Sequence, residues 1–418
     1  MKTNKIKNND TNKNKENKGK IGNIKNNKES LLVFEYYTAS GITDENIVSE
    51  AIAMIKALLS DVSQLKNKDI HFLVSKDFEY ISKDFNGNNF KTIVINSDTE
   101  DNNNLFSYLT ENLADFDGVM FIASEEDNNL YNLTEIIEDS NIKIYGSNKE
   151  ATKLSSDKYE TFNQLKRFIP SPRTFKFTLN DESDWEIAIK NIFDFIQPQK
   201  LIAKPLNGVD CQDIVVISSY EDISKLTDIF SKDADIIVQE YIEGEDFSVT
   251  LISNGEIAIP LSLNKQYIEI NQNNENGNYS YLGGELPYNP HNLHLKERAF
   301  EIAKTAILAI PGISGFVGVD LILTENEVYF LEINSRFTTP YVGLNKIANF
   351  NIGKTIVDLL DNDLSIVSFI DSVDFIDNNV NKGIDFKGKV VKFIKTNNKN
   401  NINNNSDNNF NKLDISLN

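Results

Sequence analysis

The hydrophobic pattern divides the chain into three regions with different periodicities. Leu31-Leu32-Val33-Phe34-Glu35-Tyr36-Tyr37 is a continuous apolar run, as expected of a parallel strand buried on both faces. Thr38-Ala39-Ser40-Gly41 reads as a loop, Asp44 as a helix cap, and the apolar spacing of Ile47, Ala51, Met54, Ile55, Leu58 and Leu59 as a helix. Strand-like runs follow at 71–74, 92–95, 118–123 and 142–146, with helical patterns near 104–114 and 127–139 between them. Alternating strands and helices predict an α/β layer on a mainly parallel sheet over 31–147.

Beyond Gly146 the pattern changes. Asp157-Lys158-Tyr159 opens a helix that Ile169-Pro170-Ser171-Pro172 ends. A strand at 174–178, a helix at 184–196, the stretch 201–211, a strand at 214–217, a short helix near 221–229 and a strand, elbow and strand over 236–249 predict a small α+β lid lobe over 148–248. Residues 249–395 form the larger lobe, with strands at 249–251 and 257–263, a long polar stretch at 264–295 and a helix at 296–309. Within that stretch the Asn-rich segment 271–278 reads as a mobile loop over the site. A helix near 352–360 follows, then edge strands at 366–369 and 389–394. Residues 1–30 and 396–418 are Lys/Asn-rich and predict disordered tails.

The third region carries an alternating pair of segments. In Leu331-Glu332-Ile333-Asn334-Ser335-Arg336 the apolar Leu331 and Ile333 should face the core, and Glu332, Asn334 and Arg336 the other side. A hairpin turned at Asn326 sets Asp320 opposite Glu332 on that same face. Two carboxylates and an amide oxygen close together suit Mg²⁺ or Mn²⁺, with substrate phosphates completing the shell.

Composition narrows the partners. The net charge is -20, while residues 1–30 hold nine Lys against three acids, so the remainder is strongly acidic. That argues against nucleic acid as a partner. No apolar run spans a membrane and no apolar leader is present. One cysteine, Cys211, excludes an internal disulfide framework and fits a cytoplasmic protein. Cys211 has no activating base nearby in sequence and reads as structural. His291 and His294 lack a third metal ligand nearby and read as polar contacts.

Four features occur in one order: Lys158 in D-K-Y, Lys204 in I-A-K-P-L-N-G, the stretch V-Q-E-Y-I-E-G-E-D-F-S-V, and Asp320 with Glu332, Asn334 and Arg336. Their order and chemistry over about residues 31–360 resemble the ATP-grasp superfamily. Two lysines on separate elements suit a triphosphate. The backbone of Glu240, Tyr241 and Ile242, with the Gln239 or Glu240 side chain, suits adenine. Asp246 matches the family's ribose position, and Gly208 permits close approach to phosphate. The loop after Lys204 departs from relatives with several glycines, since N-G-V-D-C-Q-D has one. The resemblance implies that carboxylate attack on ATP gives an acylphosphate, with metal on Asp320, Glu332 and Asn334. Arg336 and Lys204 would hold the transferred phosphoryl group.

F-E-Y-Y-T-A-S-G, K-P-L-N-G-V-D-C and Y-L-G-G-E-L-P-Y further resemble the archaeal tyramine–L-glutamate ligases of methanofuran biosynthesis. That likeness implies ATP, L-glutamate and tyramine as small-molecule partners. Tyr279, Tyr281 and Tyr288 are candidates to stack on an aromatic amine, and Glu35 to face the cleft and pair with an ammonium or a lysine. A ligase of the D-alanyl-D-alanine kind, a non-catalytic nucleotide binder and a homo-oligomeric state remain open at this level.

Overall fold

The computed structural model describes residues 28–44, 47–97, 103–180, 184–197, 199–206, 208, 213–271, 278–396 and 412–417. The expectations for the tail up to residue 27, for the loop tip 272–277 and for Cys211 lie outside these residues.

The first sheet is wholly parallel, in the order β3-β2-β1-β4-β5. Its strands are β1 (Glu29–Glu35), β2 (Lys68–Ser75), β3 (Phe90–Ile95), β4 (Gly118–Ile122) and β5 (Lys143–Ile144). The continuous apolar run of β1 has the cause expected of it. Leu31 and Val33 enter one core, Leu32 and Phe34 a second core on the opposite face, and all four are fully buried. Helix Val48–Val62 covers the first of these faces through Val48, Ile55, Leu58, Leu59 and Val62.

Two local readings are corrected here. Tyr36–Ser40 is a short helix, not strand end and loop. Glu35 caps it, its carboxylate accepting from the Tyr37 N–H at 3.0 Å and the Thr38 N–H at 2.8 Å. It is buried and serves this cap, and no lysine among the described residues forms an ion pair with it. Burial pushes its pKa up to about 7 against the pull of those N–H donors.

The second sheet is antiparallel, in the order β6-β9-β7-β8. It comprises β6 (Thr174–Thr178), β7 (Leu201–Pro205), β8 (Val215–Ile217) and β9 (Asp235–Glu240). Its core of Ile189, Phe193, Leu201, Ile217, Ile236 and Val238 is separate from the others.

The third sheet has seven antiparallel strands in the order β14-β13-β10-β11-β12-β15-β16. They are β10 (Glu245–Asn254), β11 (Ala258–Asn271), β12 (Asn278–Leu286), β13 (Ser314–Leu323), β14 (Val328–Asn334), β15 (Val391–Thr396) and β16 (Lys412–Leu417). Alternation splits β10 and β13 cleanly. Phe247, Val249, Leu251, Val317, Val319 and Leu321 enter a core under helix Leu293–Leu308, while Asp246, Ser248 and Asp320 face away from it.

This sheet holds most of the differences from the sequence reading. The polar stretch 264–295 contains the end of β11 and all of β12. Ile366–Ser372 is a helix, not an edge strand. Residues 412–417, read as part of a disordered tail, form β16 against β15.

The parallel sheet and the seven-stranded sheet share one core. Ile55, Leu58 and Phe72 pack in the same cluster as Ile252, Leu286, Phe316, Tyr341, Ile356 and Phe393. Polar ties cross the same boundary. Asp61 accepts from the Tyr341 hydroxyl at 2.6 Å, from Asn345 Nδ2 at 2.8 Å and from the Gly353 N–H at 2.9 Å. No helix among the described residues is long and apolar enough to cross a membrane.

Candidate active site

The hairpin of β13 and β14 is the floor of the site. Thr324 makes its turn, accepting at Oγ1 from the N–H groups of Asn326 and Glu327. The ladder pairs Asp320 with Glu332, as the sequence predicts, and Gly318 with Asn334. The phase of β14, however, slips. Leu321 pairs with Phe330 and Asp320 with Glu332, so Leu331 is an extra residue without a ladder partner. Phe330 and Ile333 therefore enter the core, while Leu331, read as a core residue, joins Glu332 in lining the cleft. The bulge gives the carboxylate an apolar neighbour on the same side.

One cleft of about 240 Å³ collects the candidate residues of the second and third regions. Lys158, Lys204, Gly208, Gln239, Glu240, Tyr241, Ile242, Asp246, Asp320, Glu332, Asn334 and Arg336 all line it. Each arrives by a local device. Asp157 caps helix Lys158–Leu165 by accepting from the Tyr159 and Glu160 N–H groups, which sets Lys158 at the helix start. Lys158 Nζ lies 3.3 Å from Glu332 Oε2 and donates to the Gly208 carbonyl at 2.7 Å. Lys204 comes from β7 and is buried. Gly244, in the elbow between β9 and β10, lies where a Cβ would sit 2.7 Å from the Leu323 carbonyl, so the elbow closes only on glycine.

Gln239 and Glu240 divide the roles that the sequence left undivided. Arg173 grips the Glu240 carboxylate at two points, 3.0 and 3.1 Å, and holds its pKa below the usual range. Gln239 is buried in the cleft wall, anchored by donation to Thr174 Oγ1 at 2.9 Å. Of the three tyrosines, Tyr279 and Tyr281 line the cleft. Tyr288 instead packs against Phe247, with ring centroids 4.9 Å apart.

The acidic pair is electrostatically uneven. Burial, and then the Glu332 charge, push Asp320 up to about 7, against donation from Asn334 Nδ2 at 2.9 Å and Gln266 Nε2 at 3.2 Å. Burial also opposes the charge on Glu332, but Lys158 and Lys204 outweigh it and hold that carboxyl low. Two half-buried carboxylates at paired positions, with an amide beside them, fit a hard divalent cation. Among the described residues no group of three His, Cys, Asp or Glu is arranged for a metal, so His291 and His294 do not form such a centre.

Asp246 is pushed up to about 6, chiefly by burial and further by Glu245, against the Lys204 charge. Its full acceptor capacity is therefore present above that pH and lost below it. Adenosine carries no phosphate and needs no metal. Its binding is expected to strengthen as pH rises through about 6, and Asp246→Asn to remove that dependence. Calorimetric titration at pH 5 and 7.5 checks this, and a flat wild-type profile contradicts it.

Several residues in or beside the cleft were not singled out in the sequence. Glu125, in the loop after β4, accepts from Arg336 Nε at 2.7 Å and so steadies the guanidinium. Glu50, Thr339 and Gln266 line the cleft itself. For Gln266 the signal was the alternation of Gln266, Ile268 and Ile270 with Lys265, Tyr267 and Glu269, a strand pattern inside a stretch read as loop.

The comparisons with known proteins agree with this geometry. Residues 155–340 match the model of the ATP-grasp domain. A tyramine–L-glutamate ligase of Methanocaldococcus fervens is 34% identical over 314 residues, 75% of this chain and 89% of that protein. The one of Methanocaldococcus jannaschii is 32% identical over 75% of this chain and 84% of its own length. Among solved structures, an ATP-grasp superfamily protein from Archaeoglobus fulgidus superposes with a TM-score of 0.61 at 22% identity, over 93% of this chain and 98% of that one. Fold, cleft and relatives define an ATP-dependent ligase that forms C–N bonds on an ATP-grasp scaffold. Within that class the chain belongs to the tyramine–L-glutamate ligase family.

Proposed function

We propose that this enzyme joins the γ-carboxyl group of L-glutamate to the amine of tyramine at the expense of ATP. The observation that carries the reading is the convergence in one cleft of two lysines, an acidic pair and two tyrosines. The family's name supplies the two substrates.

The chain's own groups divide the work. Gln239 and the backbone of Glu240, Tyr241 and Ile242 meet adenine over Leu331, and Asp246 meets the ribose. Lys158 and Lys204 hold the phosphates. Asp320, Glu332 and Asn334 would hold Mg²⁺ or Mn²⁺, which when bound neutralises charge between the phosphates. A γ-carboxylate oxygen attacks the γ-phosphorus. The bond to the β,γ-bridging oxygen breaks, and acylphosphate and ADP form. Arg336, steadied by Glu125, and Lys204 face the charge that develops. The amine, having lost one proton, attacks the acyl carbon. Phosphate leaves, the nitrogen gives up a second proton, and the amide remains. The single cysteine and the small-molecule chemistry support a cytoplasmic site of action.

The test is product analysis. Glutamate and ATP with an equimolar mixture of tyramine, dopamine, putrescine and D-alanine should give γ-glutamyltyramine as the dominant adduct by mass spectrometry. A dominant putrescine or D-alanine adduct refutes the tyramine assignment and leaves the ligase class standing.

A further inference from the structure

One part of the cleft wall comes from outside the matched ATP-grasp segment. Glu50 comes from the first turn of helix Val48–Val62 and Lys395 from β15, both outside residues 155–340. Lys395 Nζ lies 2.8 Å from Glu50 Oε2 and 5.3 Å from the centre of the Tyr281 ring. The Thr339 hydroxyl donates to Glu50 Oε1. The two charged side chains are only 16% and 11% exposed, and Glu50 lines the cleft.

A buried ion pair contributes little to stability, because desolvation of both charges offsets their attraction. Here the two charges come from opposite ends of the chain and meet at the margin of a substrate cleft. A monovalent amine would need the carboxylate alone. A carboxylate and an ammonium fixed side by side complement a zwitterion, with the Tyr281 face steadying the ammonium.

We infer that Glu50 and Lys395 bind the α-ammonium and α-carboxylate of the amino-acid substrate, and so select which of its carboxyl groups is phosphorylated. The inference rests on the glutamate reading above. With the α end held at Glu50 and Lys395, only the γ-carboxyl is left to reach the phosphate side of the cleft. The α-carboxyl is spent on recognition. The regiochemistry of the amide is then set by residues outside the nucleotide-binding segment.

The test uses the full-length enzyme and three donors: glutamate, 4-aminobutyrate, which lacks the α-carboxylate, and glutarate, which lacks the α-ammonium. Wild type should favour glutamate over both by about tenfold or more in kcat/KM. Lys395→Met should raise the KM for glutamate by a similar factor and bring the glutamate to 4-aminobutyrate ratio toward one. Glu50→Gln should do the same to the glutamate to glutarate ratio. The KM for ATP should stay unchanged in both, which also shows that the variants are folded. If either neutral variant fails to fold, Lys395→Arg and Glu50→Asp carry the test, since each moves its charge and should shift only its own ratio. Folded variants whose two ratios stay at wild-type values overturn the inference while γ-glutamyl amide is still made. A wild-type enzyme that makes no γ-glutamyl amide overturns the glutamate reading, and the inference with it.

Discussion

Glu332→Gln should abolish turnover while leaving the fold intact. Glu332 is one of two carboxylates at paired positions on β13 and β14, and it lies 3.3 Å from Lys158. The amide keeps the volume and removes the charge. The acidic pair then has one formal charge to set against a divalent cation, and Lys158 is left facing an amide. Removing one preorganised electrostatic partner costs about 100-fold or more in rate, and a charge shared by metal and lysine belongs at the upper end. Steady-state turnover at saturating ATP and metal, beside the urea midpoint, reads both halves of the statement. Turnover near wild type would sink the assignment of the acidic pair.

The second large effect is on stability. Asp61 is buried on helix Val48–Val62, and three donors from the C-terminal part of the chain end on its carboxylate. Asp61→Ala leaves the Tyr341 hydroxyl, Asn345 Nδ2 and the Gly353 N–H without that acceptor. Each buried unsatisfied group costs about 1–3 kcal/mol, so the loss should be roughly 3 kcal/mol or more. Burial raises the Asp61 pKa above the ordinary 3.8 despite those donors. The native state thus binds the proton more tightly than the unfolded chain, and wild-type stability at this site falls as pH climbs above 3.8. The Asp61→Ala penalty should therefore be larger near pH 5 than near pH 8. Urea unfolding at the two pH values measures it. A loss under about 1 kcal/mol at both would mean that the boundary relaxes around the missing carboxylate.

What the sequence revealed follows from what is local. The uninterrupted run at Leu31–Phe34 and the alternation in β10 and β13 specify strand type and face, so the parallel sheet and the Asp320–Glu332 pairing were legible. Leu331 was not, because a bulge shifts phase without altering the residues around it. Helix Tyr36–Ser40 was hidden by a glutamate in a capping position that serine or aspartate more often fills. The short apolar run at Ile366–Phe369 suits helix and strand equally. The residues proposed to meet ATP lie on contiguous motifs and could be singled out, and the fold brings them into one cleft. Glu50 and Lys395 could not, since they meet only through tertiary structure and neither stands in a recognisable pattern.

The shared core has a consequence for biosynthesis. Asp61 and the Gly353 N–H that donates to it are 292 residues apart. At about 5–20 residues per second, Asp61 leaves the ribosome roughly 15–60 s before Gly353 does. During that interval the face later covered by Tyr341, Ile356 and Phe393 has no native cover. The nascent chain therefore presents a broad apolar surface for as long as translation of the remainder lasts. Chaperone demand should track the speed of elongation through the residues between Asp61 and Phe393.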